Sequence, residues 1–414
     1  MDSLWQRRPI GELLSTDIDY RGKTPPESDS GIPTISAANV KDGRVVLNGD
    51  SFVSRETYQE WLTRGKPQSG DVLITTEAPV GEVALFPDGG PYLPTRRVIA
   101  MRCKDEVASN RFLKYSLQCN DTQRRLRSNT RGSTVSRVLK EDIFGLEIGV
   151  PPLAVQRRIA DILGALDDKI ELNRRMNETL EEMAQTLYRH WFVDFGPFQD
   201  QEFKDTELGR IPKGWEVGEL GDFCTINRET VDKDNPPDPF EYIKISGVNE
   251  GRVEETEVMP WEGAPTRANR RVQDGDVVWS KVRPNRKGYF LCLEPPDNLV
   301  VSTGFATITP DELPFSWVYL ILTTEDFVDY LTARATGAAY PSVTLDAFRN
   351  AEVVIPKTVT LEAFHEKIEP LFRLQQSNTA ENDVLSETRD YLLPKLISGK
   401  IEVEAAQEVV EAEM

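Results

Sequence analysis

Residues 151–181 read PPLAVQRRIADILGALDDKIELNRRMNETLE, a stretch in which similar residues recur at intervals of seven. The two prolines end the preceding segment and suit the first turn of a helix, so this spacing predicts one long helix. Heptads of this length predict a coiled coil, in which a second helix covers the apolar face. The positions seven residues apart are Ile159, Leu166, Asn173, Leu180 and Leu187, and the residues expected between them on the same face are Ile162, Ile170, Met176 and Met183.

The expected partner helix begins 205 residues downstream, after a second proline. Its positions seven residues apart are Phe364, Leu371, Asn378, Leu385 and Leu392. The asparagine shared by both helices has two interpretations that stay open here. Either Asn173 and Asn378 are exposed, or they face each other in an antiparallel pair and fix its register.

An internal repeat with the same offset organises the rest of the chain. Gly70-Asp71-Val72-Leu73 recurs as Gly275-Asp276-Val277-Val278, and Gly132 recurs as Gly337. Apolar residues alternate in the repeated segments, which is typical of strands. The predicted fold class is therefore α/β, with two α/β domains separated by two long antiparallel helices that form a coiled coil, related by a pseudo-two-fold internal repeat. The predicted boundaries are 1–150 and 206–356 for the domains, 151–195 and 357–400 for the helical segments, and 401–414 for an acidic tail expected to be frayed.

The length of the helices suggests what such a frame could hold. A helix of about 34 residues spans about 50 Å at 1.5 Å per residue. That length compares with one to one and a half turns of B-DNA, at about 34–36 Å per turn. Two similar domains on this frame, in inverted orientation, would suit a two-part DNA site whose halves are separated by unread bases.

Composition excludes several classes of protein. The chain is 39% hydrophobic and 28% charged, its apolar stretches are too short to span a bilayer, and its N-terminus lacks the apolar core of a signal peptide. Four scattered cysteines without a C-x-x-C motif indicate a reduced, cytosolic protein. His190 and His365 lie in helical patterns away from other ligand types, which favours surface or packing roles over metal binding or catalysis.

The charge is unevenly distributed. The net charge of the chain is −19, but residues 1–150 carry +1 and residues 206–356 carry −10. The overall charge says little about the potential at one phosphate contact. The acidic second domain nevertheless suggests that basic partners supply part of any affinity for nucleic acid.

Several motifs follow one another along nearly the whole chain. Besides the helix quoted above, they are RGKTPP at 21–26, GDVLITTEAPVG at 70–81, HWFVDFGPF at 190–198, GRIPKGWEVGELGDF at 209–223 and LLPKLISGKI at 392–401. In this order the motifs resemble those of the specificity (S) subunits of type I restriction–modification systems.

The resemblance implies two target-recognition domains that each read one half of a bipartite sequence in double-stranded DNA. It also implies helices that dock two methyltransferase (M) subunits, to which restriction (R) subunits are added. The chain itself would be noncatalytic, cytoplasmic in a prokaryote and without a cofactor, while S-adenosylmethionine, ATP and Mg²⁺ would serve the partner subunits. For one set of helix residues the resemblance favours M-subunit docking over an ordinary solvated face: Gln156, Arg157, Arg158, Arg174 and Arg175.

Two motif matches that would indicate catalysis are incomplete. Residues 235–238 resemble the N-P-P-aromatic motif of adenine methyltransferases, but Asp238 has no aromatic face to stack on a flipped base. Residues 22–24 resemble the end of a P-loop, but Asp17 stands where the first glycine is needed. The sequence therefore predicts no catalytic or metal-binding residues. The alternatives are an enzyme with its own active site and a coiled-coil adaptor that binds only protein.

The strongest candidates for DNA contact lie in one loop of the second domain, where residues 279–289 read WSKVRPNRKGY. Arginine and asparagine can bond bidentately to guanine and adenine edges, and lysine suits phosphates. DNA contact is favoured over a solvated loop for Lys281, Arg283, Asn285, Arg286 and Lys287, with Arg267, Arg270 and Arg271 extending the surface.

The equivalent loop of the first domain, residues 75–79, contains no cation. Arg124 and Arg131 have helical spacing, so an exposed helix face is an equal alternative to DNA contact for them. Glycine beside Lys23 would let backbone N–H groups approach a phosphate. The candidates in this domain are Lys23, Thr24, Arg96, Arg97, Arg124, Arg131, Ser133 and Thr134.

Overall fold

The structure is a computed structural model that describes residues 5–20, 24–47, 49, 51–132 and 135–413. The chain divides into two units, one formed by Met1–Leu172 with Glu381–Met414 and the other by Asn173–Ala380. Two long helices, Leu153–Tyr188 and Thr358–Ile397, each contribute one end to each unit. We call them the central helix and the second long helix. None of the helices in the described ranges is both long and apolar enough to cross a membrane.

The first unit contains an α/β domain built on a four-stranded antiparallel sheet. The strands of this sheet, in spatial order, are Leu14–Ile18, Val98–Cys103, Val72–Thr76 and Val80–Leu85. The remaining strands are Gln6–Pro9 paired with Glu147–Val150, Val40–Lys41 paired with Arg44–Val45, and the three-stranded sheet Phe52–Val53, Ile32–Ile35 and Leu93–Pro94. The shorter helices are Ile10–Leu13, Arg55–Trp61, Asn110–Gln118, Asn120–Ser128, Lys140–Phe144 and Val403–Glu413, with 3₁₀ turns at Ala37–Asn39 and Leu62–Arg64.

Both faces of this sheet are buried, because successive side chains of a strand point to opposite sides. Val72 and Ile74 pack in one apolar cluster with Leu113 of a helix. Leu73 packs in a second cluster with Ile35 of the three-stranded sheet. Burial on both faces fixes the position of the strand and therefore of the loop that follows it.

The second unit repeats this architecture. Its four-stranded sheet has the order Cys224–Ile226, Phe305–Pro310, Asp276–Ser280 and Tyr289–Cys292. A second sheet has the order Glu257–Met259, Phe240–Ile243, Leu299–Ser302 and Ala268–Arg271. The paired short strands are Phe203–Thr206 with Gly209–Pro212, Glu216–Glu219 with Glu352–Ile355, and Val248–Asn249 with Arg252–Val253. The short helices are Phe315–Leu322, Glu325–Arg334 and Leu345–Arg349, with a π-helical turn at Arg189–Val193 and 3₁₀ turns at Gly196–Phe198, Leu220–Asp222, Ile245–Gly247 and Pro284–Arg286.

The predicted α/β fold with an internal repeat is therefore confirmed. Leu345–Arg349, Glu352–Ile355 and the start of the second long helix at Thr358 each lie 205 residues after their counterparts, which are Lys140–Phe144, Glu147–Val150 and Leu153.

The two long helices pair in antiparallel fashion within each unit. In the first unit Arg389 Nη1 donates to Asp167 Oδ1 at 3.1 Å, and Lys169 Nζ lies 3.1 Å from Glu381 Oε2. In the second unit Asn378 Nδ2 donates to Asn177 Oδ1 at 2.8 Å. In both units the two helices run in opposite directions, because residues closer to the end of one helix contact residues closer to the start of the other.

The buried face of the central helix differs in part from the predicted heptad. Met176 and Met183 are 37% and 47% exposed, so their placement on the buried face is wrong. Ala184 is fully buried, four residues after the buried Leu180. The face thus continues from Leu180 by a step of four, because 3.6 residues per turn make steps of three and four equally available.

The interpretation of the shared asparagines as exposed is also wrong. Asn173 is fully buried and Asn378 is 6% exposed. Asn378 donates to Asn177, one helical turn after Asn173. A direct pair between Asn173 and Asn378 therefore stays a prediction, whereas burial of a polar residue at each position is established.

The C-terminal segment is not frayed, contrary to expectation. Val403–Glu413 forms a helix in which Ala406 and Val410 are buried in the same apolar cluster as Ile159 and Ile162 of the central helix. Arg158 Nη1 donates to Glu404 Oε1 at 2.5 Å. An apolar face repeating every three to four residues, together with this ion pair, holds the helix in the first unit.

Candidate nucleic-acid interface

In each domain, the backbone where one inner strand ends is hydrogen-bonded to the residue that follows a turn containing a glycine. The two strands are Val72–Thr76 and Asp276–Ser280. In the first domain, Arg131 and Arg137 exchange backbone hydrogen bonds of 2.8 and 2.9 Å, and Val138 N donates to Thr76 O at 3.0 Å. In the second domain the same three bonds, 205 residues later, measure 3.0 Å and 2.9 Å between Thr336 and Ser342 and 2.9 Å from Val343 N to Lys281 O. We call residues 131–137 and 336–342 the glycine turns.

Each glycine turn needs its glycine. Gly132 and Gly337 have φ values of +104° and +110°, which side chains with a Cβ rarely adopt. A Cβ on Gly132 would lie 2.5 Å from the carbonyl oxygen of Val135, and one on Gly337 would lie 3.2 Å from that of Tyr340. The repeat noted in the sequence therefore marks one backbone device present in both domains.

Arg283 joins the loop of the second domain to its glycine turn. Its backbone N donates to Pro341 O at 2.7 Å, and its Nη2 donates to Ala339 O at 2.9 Å. Its guanidinium carbon lies 4.6 Å from the centre of the Tyr340 ring, a cation–π contact. Tyr340 is 70% exposed, which leaves a planar aromatic and cationic surface open to solvent.

Tyr340 is a candidate contact that the sequence reasoning missed. The available signal was an aromatic residue shortly after Gly337, the glycine that repeats Gly132. Aromatic rings in exposed turns are able to stack on bases or sugars. The contact with Arg283 connects Tyr340 to the residues predicted from the loop.

The other predicted residues of the loop have different surroundings. Asn285 and Arg286 lie on the 3₁₀ turn Pro284–Arg286 and are exposed. Lys287 Nζ, in contrast, lies 3.2 Å from Glu250 and 2.5 Å from Glu325. The hydrogen bond that Lys287 donates to Glu325 is the main cause that raises the pKa of Lys287. Its charge is thus compensated within the domain, which argues against the predicted role as a phosphate contact.

Lys281 and the strand Ala268–Arg271 complete the basic surface of the second domain. Arg267 is exposed, whereas Arg270, Arg271 and Lys281 are half-buried. Within the described ranges, Lys281, Arg283 and Arg286 form no ion pair, and neither do Arg267, Arg270 and Arg271. Uncompensated cations in a domain of charge −10 form a local surface suited to anions.

The predicted cations of the first domain are mostly compensated. Arg97 lies 3.0 Å from Glu77, Arg124 lies 3.4 Å from Asp121, and Arg131 lies 3.2 Å from Asp142. Arg96 and Thr24 are exposed, and Arg96 has no ion pair within the described part of the chain. Lys23, Ser133 and Thr134 lie outside the described residues. The structure therefore brings Arg97 and Arg131 to the loop and glycine turn of this domain, but with carboxylates beside them.

The predicted docking residues fall into two groups. Gln156 is 1% exposed, accepts a hydrogen bond from Ser109 N at 3.1 Å and donates to Val107 O at 3.1 Å and Pro151 O at 2.9 Å. The prediction that Gln156 docks a partner is wrong, because its side chain is buried and makes its hydrogen bonds to the chain's own backbone at the start of the central helix. Exposed or half-buried positions are occupied by Arg157, Arg158, Arg174 and Arg175.

The two histidines lie in helical surroundings. His365 Nδ1 is 2.9 Å from Ser316 Oγ, and His365 Nε2 is 3.2 Å from Glu369 Oε2. Ser316 is fully buried, so this Ser–His–Glu series cannot present a nucleophile to a substrate. No cluster of three or more metal-ligating side chains occurs among the described residues.

Comparison with known proteins identifies the family. The model of the type I restriction modification DNA specificity domain matches residues 3–182 and 212–386, once for each half of the repeat. The MjaIX type I restriction enzyme specificity subunit of Methanocaldococcus jannaschii is 27% identical over 369 residues, which cover 87% of this chain and 84% of that protein. The HindI specificity subunit of Haemophilus influenzae is 25% identical, with 81% and 87% covered.

A solved structure shares the fold. The crystal structure of the type I restriction–modification S subunit from M. genitalium matches with a TM-score of 0.60 at 14% identity, and 95% of this chain and 96% of that chain are covered. The family match extends over both glycine turns and most of both long helices. The chain belongs to the family of type I restriction–modification specificity subunits.

Proposed function

We propose that this chain reads a bipartite sequence in double-stranded DNA, one half with each domain, and that it has no catalytic role of its own. The observation that carries the proposal is the pair of matched loops and glycine turns. Each loop follows a strand buried on both faces and is hydrogen-bonded to its glycine turn, so a rigid scaffold supports the proposed contact surface. In the second domain this surface holds cations that form no ion pair with the described residues.

In the second domain, Arg283, Asn285 and Arg286 are the proposed base-reading residues. Arginine and asparagine match the hydrogen-bonding edges of guanine and adenine in the major groove. The Tyr340 ring centre lies 4.6 Å from the Arg283 guanidinium carbon, a cation–π contact that restrains the side chain near the reading loop. In the first domain, Arg96, Arg97 and the glycine turn are the corresponding candidates.

The long helices are proposed to dock two M subunits, with R subunits joining that assembly. Exposed apolar side chains on both helices support a partner surface, since surface helices usually place such residues inward. They include Met176 and Met183 on the central helix, and Val384 and Tyr391 on the second long helix. S-adenosylmethionine, ATP and Mg²⁺ would then act in the partner subunits.

The test is to express the chain with the M subunits of its own system and to map methylated bases across genomic DNA. We expect one two-part motif that disappears when the gene of this chain is deleted. The double variant R283A/R286A should lose or relax one half of the motif, at about 1–3 kcal/mol per lost base contact, and leave the other half unchanged.

The variant Lys287→Gln is the matched control, because Lys287 belongs to the same loop but is already ion-paired with Glu250 and Glu325. It should retain both halves of the motif. Unchanged methylation in R283A/R286A would contradict the assignment of the reading residues. Methylation or nicking of DNA by the purified chain alone would contradict the noncatalytic role.

A further inference from the structure

Arg270 and Lys281 lie on either side of one turn in the second domain. The strand Ala268–Arg271 pairs with Leu299–Ser302, and the strand Asp276–Ser280 pairs with Phe305–Pro310. The turn between these two partners bonds to both sides, because Thr303 N donates to Arg267 O at 2.8 Å and Lys281 N donates to Gly304 O at 2.9 Å. Two sheets thus bring two cations together at one edge.

The surroundings of these cations are unusual for groups that are partly removed from water. Both side chains are half-buried, and neither forms an ion pair within the described residues. Arg270 Nε is buried and has no hydrogen-bond partner in the described part of the chain. A buried N–H of a charged group without an acceptor costs free energy that a bound anion would recover.

The charges also act on each other. Burial lowers the pKa of the Arg270 guanidinium. Burial, and secondly the positive charge of Arg270, lower the pKa of the Lys281 ammonium. Two like charges that have no ion-pair partner among the described residues repel each other, and an external anion stabilises such a pair because it attracts both.

We infer that Arg270 and Lys281 form a phosphate-binding site that holds one backbone phosphate of the DNA next to the reading loop. The inference rests on the proposed function, in which the second domain binds DNA. The planar guanidinium supplies directed donors and the ammonium a point charge, a combination that suits the oxygens of a phosphodiester. A phosphate contact fixes the register of a protein on the duplex but does not itself read sequence.

The position of Lys281 in the chain connects this phosphate contact to the reading of bases by Arg283. Lys281 directly precedes Val282 and Arg283, and its carbonyl oxygen accepts the bond from Val343 that holds the glycine turn. A phosphate bound at Lys281 would therefore set the distance between the backbone of the DNA and Arg283. In the first domain the residue 205 positions earlier is Thr76, which is uncharged, so the site is particular to the second domain.

The experiment measures how duplex affinity depends on salt, using the full chain assembled with its M subunits and a duplex that carries the methylated motif. The variants are R270Q, K281Q and R270Q/K281Q, with K287Q as the ion-paired control from the same loop. Loss of the contact to one phosphate should make the slope of log K against log[salt], where K is the association constant, less negative by about 0.9 in the double variant. This change corresponds to about fivefold weaker binding at 0.15 M salt. K287Q should keep the slope of the unmodified chain.

Sequence preference separates a phosphate contact from a base contact. We expect R270Q/K281Q to weaken binding to matched and single-mismatch duplexes by the same factor. An unchanged salt slope would overturn the inference while leaving the proposed function intact. A relaxed preference at one base position with an unchanged slope would overturn it as well, by assigning the residues to base reading.

A second measurement uses inorganic phosphate and the full chain alone. The thermal unfolding midpoint in phosphate, relative to chloride at equal ionic strength, should rise more for the unmodified chain than for R270Q/K281Q. Comparison with the variant removes the general stabilisation that phosphate gives to any protein. Equal rises would overturn the anion site. Failure of the unmodified assembly to prefer its motif over other duplexes would instead overturn the proposed function, and the DNA-phosphate assignment with it.

Discussion

Replacing Asp167 with alanine would remove the carboxylate on which three side chains of the first unit converge. Lys114 Nζ donates to Asp167 Oδ2 at 2.6 Å, Tyr115 Oη donates to the same oxygen at 2.7 Å, and Arg389 Nη1 donates to Oδ1 at 3.1 Å. Lys114 and Tyr115 belong to the helix Asn110–Gln118 of the domain, whereas Arg389 belongs to the second long helix. One carboxylate on the central helix thus ties the domain to both long helices of its unit.

The expected cost follows from burial. Lys114 is 6% exposed, and its ammonium would be left without its ion pair. Breaking a buried pair by removing one partner costs about 3–5 kcal/mol, and because Asp167 itself is 22% exposed we expect a value near the lower end, about 3 kcal/mol. Asp168→Ala is the adjacent control. Its ion pair with Arg111 is 3.5 Å long and exposed, so the expected loss is about 0.5 kcal/mol or less.

The assay is urea unfolding of the full chain, followed by circular dichroism, for both variants and for D167A combined with Lys114→Met. The additional change should recover part of the lost free energy, because it removes the uncompensated ammonium. Hydrogen exchange should accelerate in the helix Asn110–Gln118 of D167A. A loss in D167A no larger than that in D168A would refute the reasoning, since it would mean that Lys114 finds water or another acceptor without cost.

The pH dependence of the same site has a defined sign. Burial raises the pKa of Asp167, but the charges and hydrogen bonds of Lys114, Tyr115 and Arg389 outweigh burial and leave this pKa below its ordinary value. The ionised carboxylate is therefore favoured by folding. Its contribution is present above the pKa of the unfolded chain and is lost as pH falls through the lowered pKa of the folded state. D167A should abolish this acid-dependent part of the unfolding free energy.

Two further predictions concern the domains. Burial raises the pKa of Asp276 to about 6, so the second unit should lose up to about 3 kcal/mol of unfolding free energy as pH rises from 4 to above 6. Asp276→Asn should flatten this dependence in urea unfolding, and an unchanged profile would show that Asp276 does not cause it. Gly132→Ala should destabilise more than Gly337→Ala, within a range of about 1–3 kcal/mol, because its Cβ would lie 2.5 Å rather than 3.2 Å from a carbonyl oxygen. The opposite order in thermal unfolding would contradict this account of the glycine turns.

Local periodicity explains which parts of the fold could be predicted. The recurrence of Gly70–Leu73 at Gly275–Val278, and the alternation of apolar residues in the strands, are signals that neighbouring residues carry. They were sufficient for the two domains and for both long helices. Such patterns do not distinguish steps of three residues from steps of four along a helix, which is why the heptad predicts Met183 rather than Ala184 on the buried face.

Contacts between distant residues account for what the sequence did not indicate. Lys287 was expected to be available to phosphate, but its partners Glu250 and Glu325 lie 37 and 38 residues away along the chain. Gln156 is predicted to dock a partner subunit, but its amide is bonded to Val107 and Ser109 of a preceding loop. A count of residue types includes these charges and amides, but it does not show which groups the fold places beside them.

The glycine turns have a consequence for how such a protein changes over evolution. The bonds that close each turn join backbone N–H and C=O groups, so apart from the glycine they depend on no side chain of the described turn residues. Residues such as Tyr340 can therefore be exchanged at little cost to folding. In the proposed function, substitutions at these few positions would change the target preference while the strands and helices beneath them stay the same.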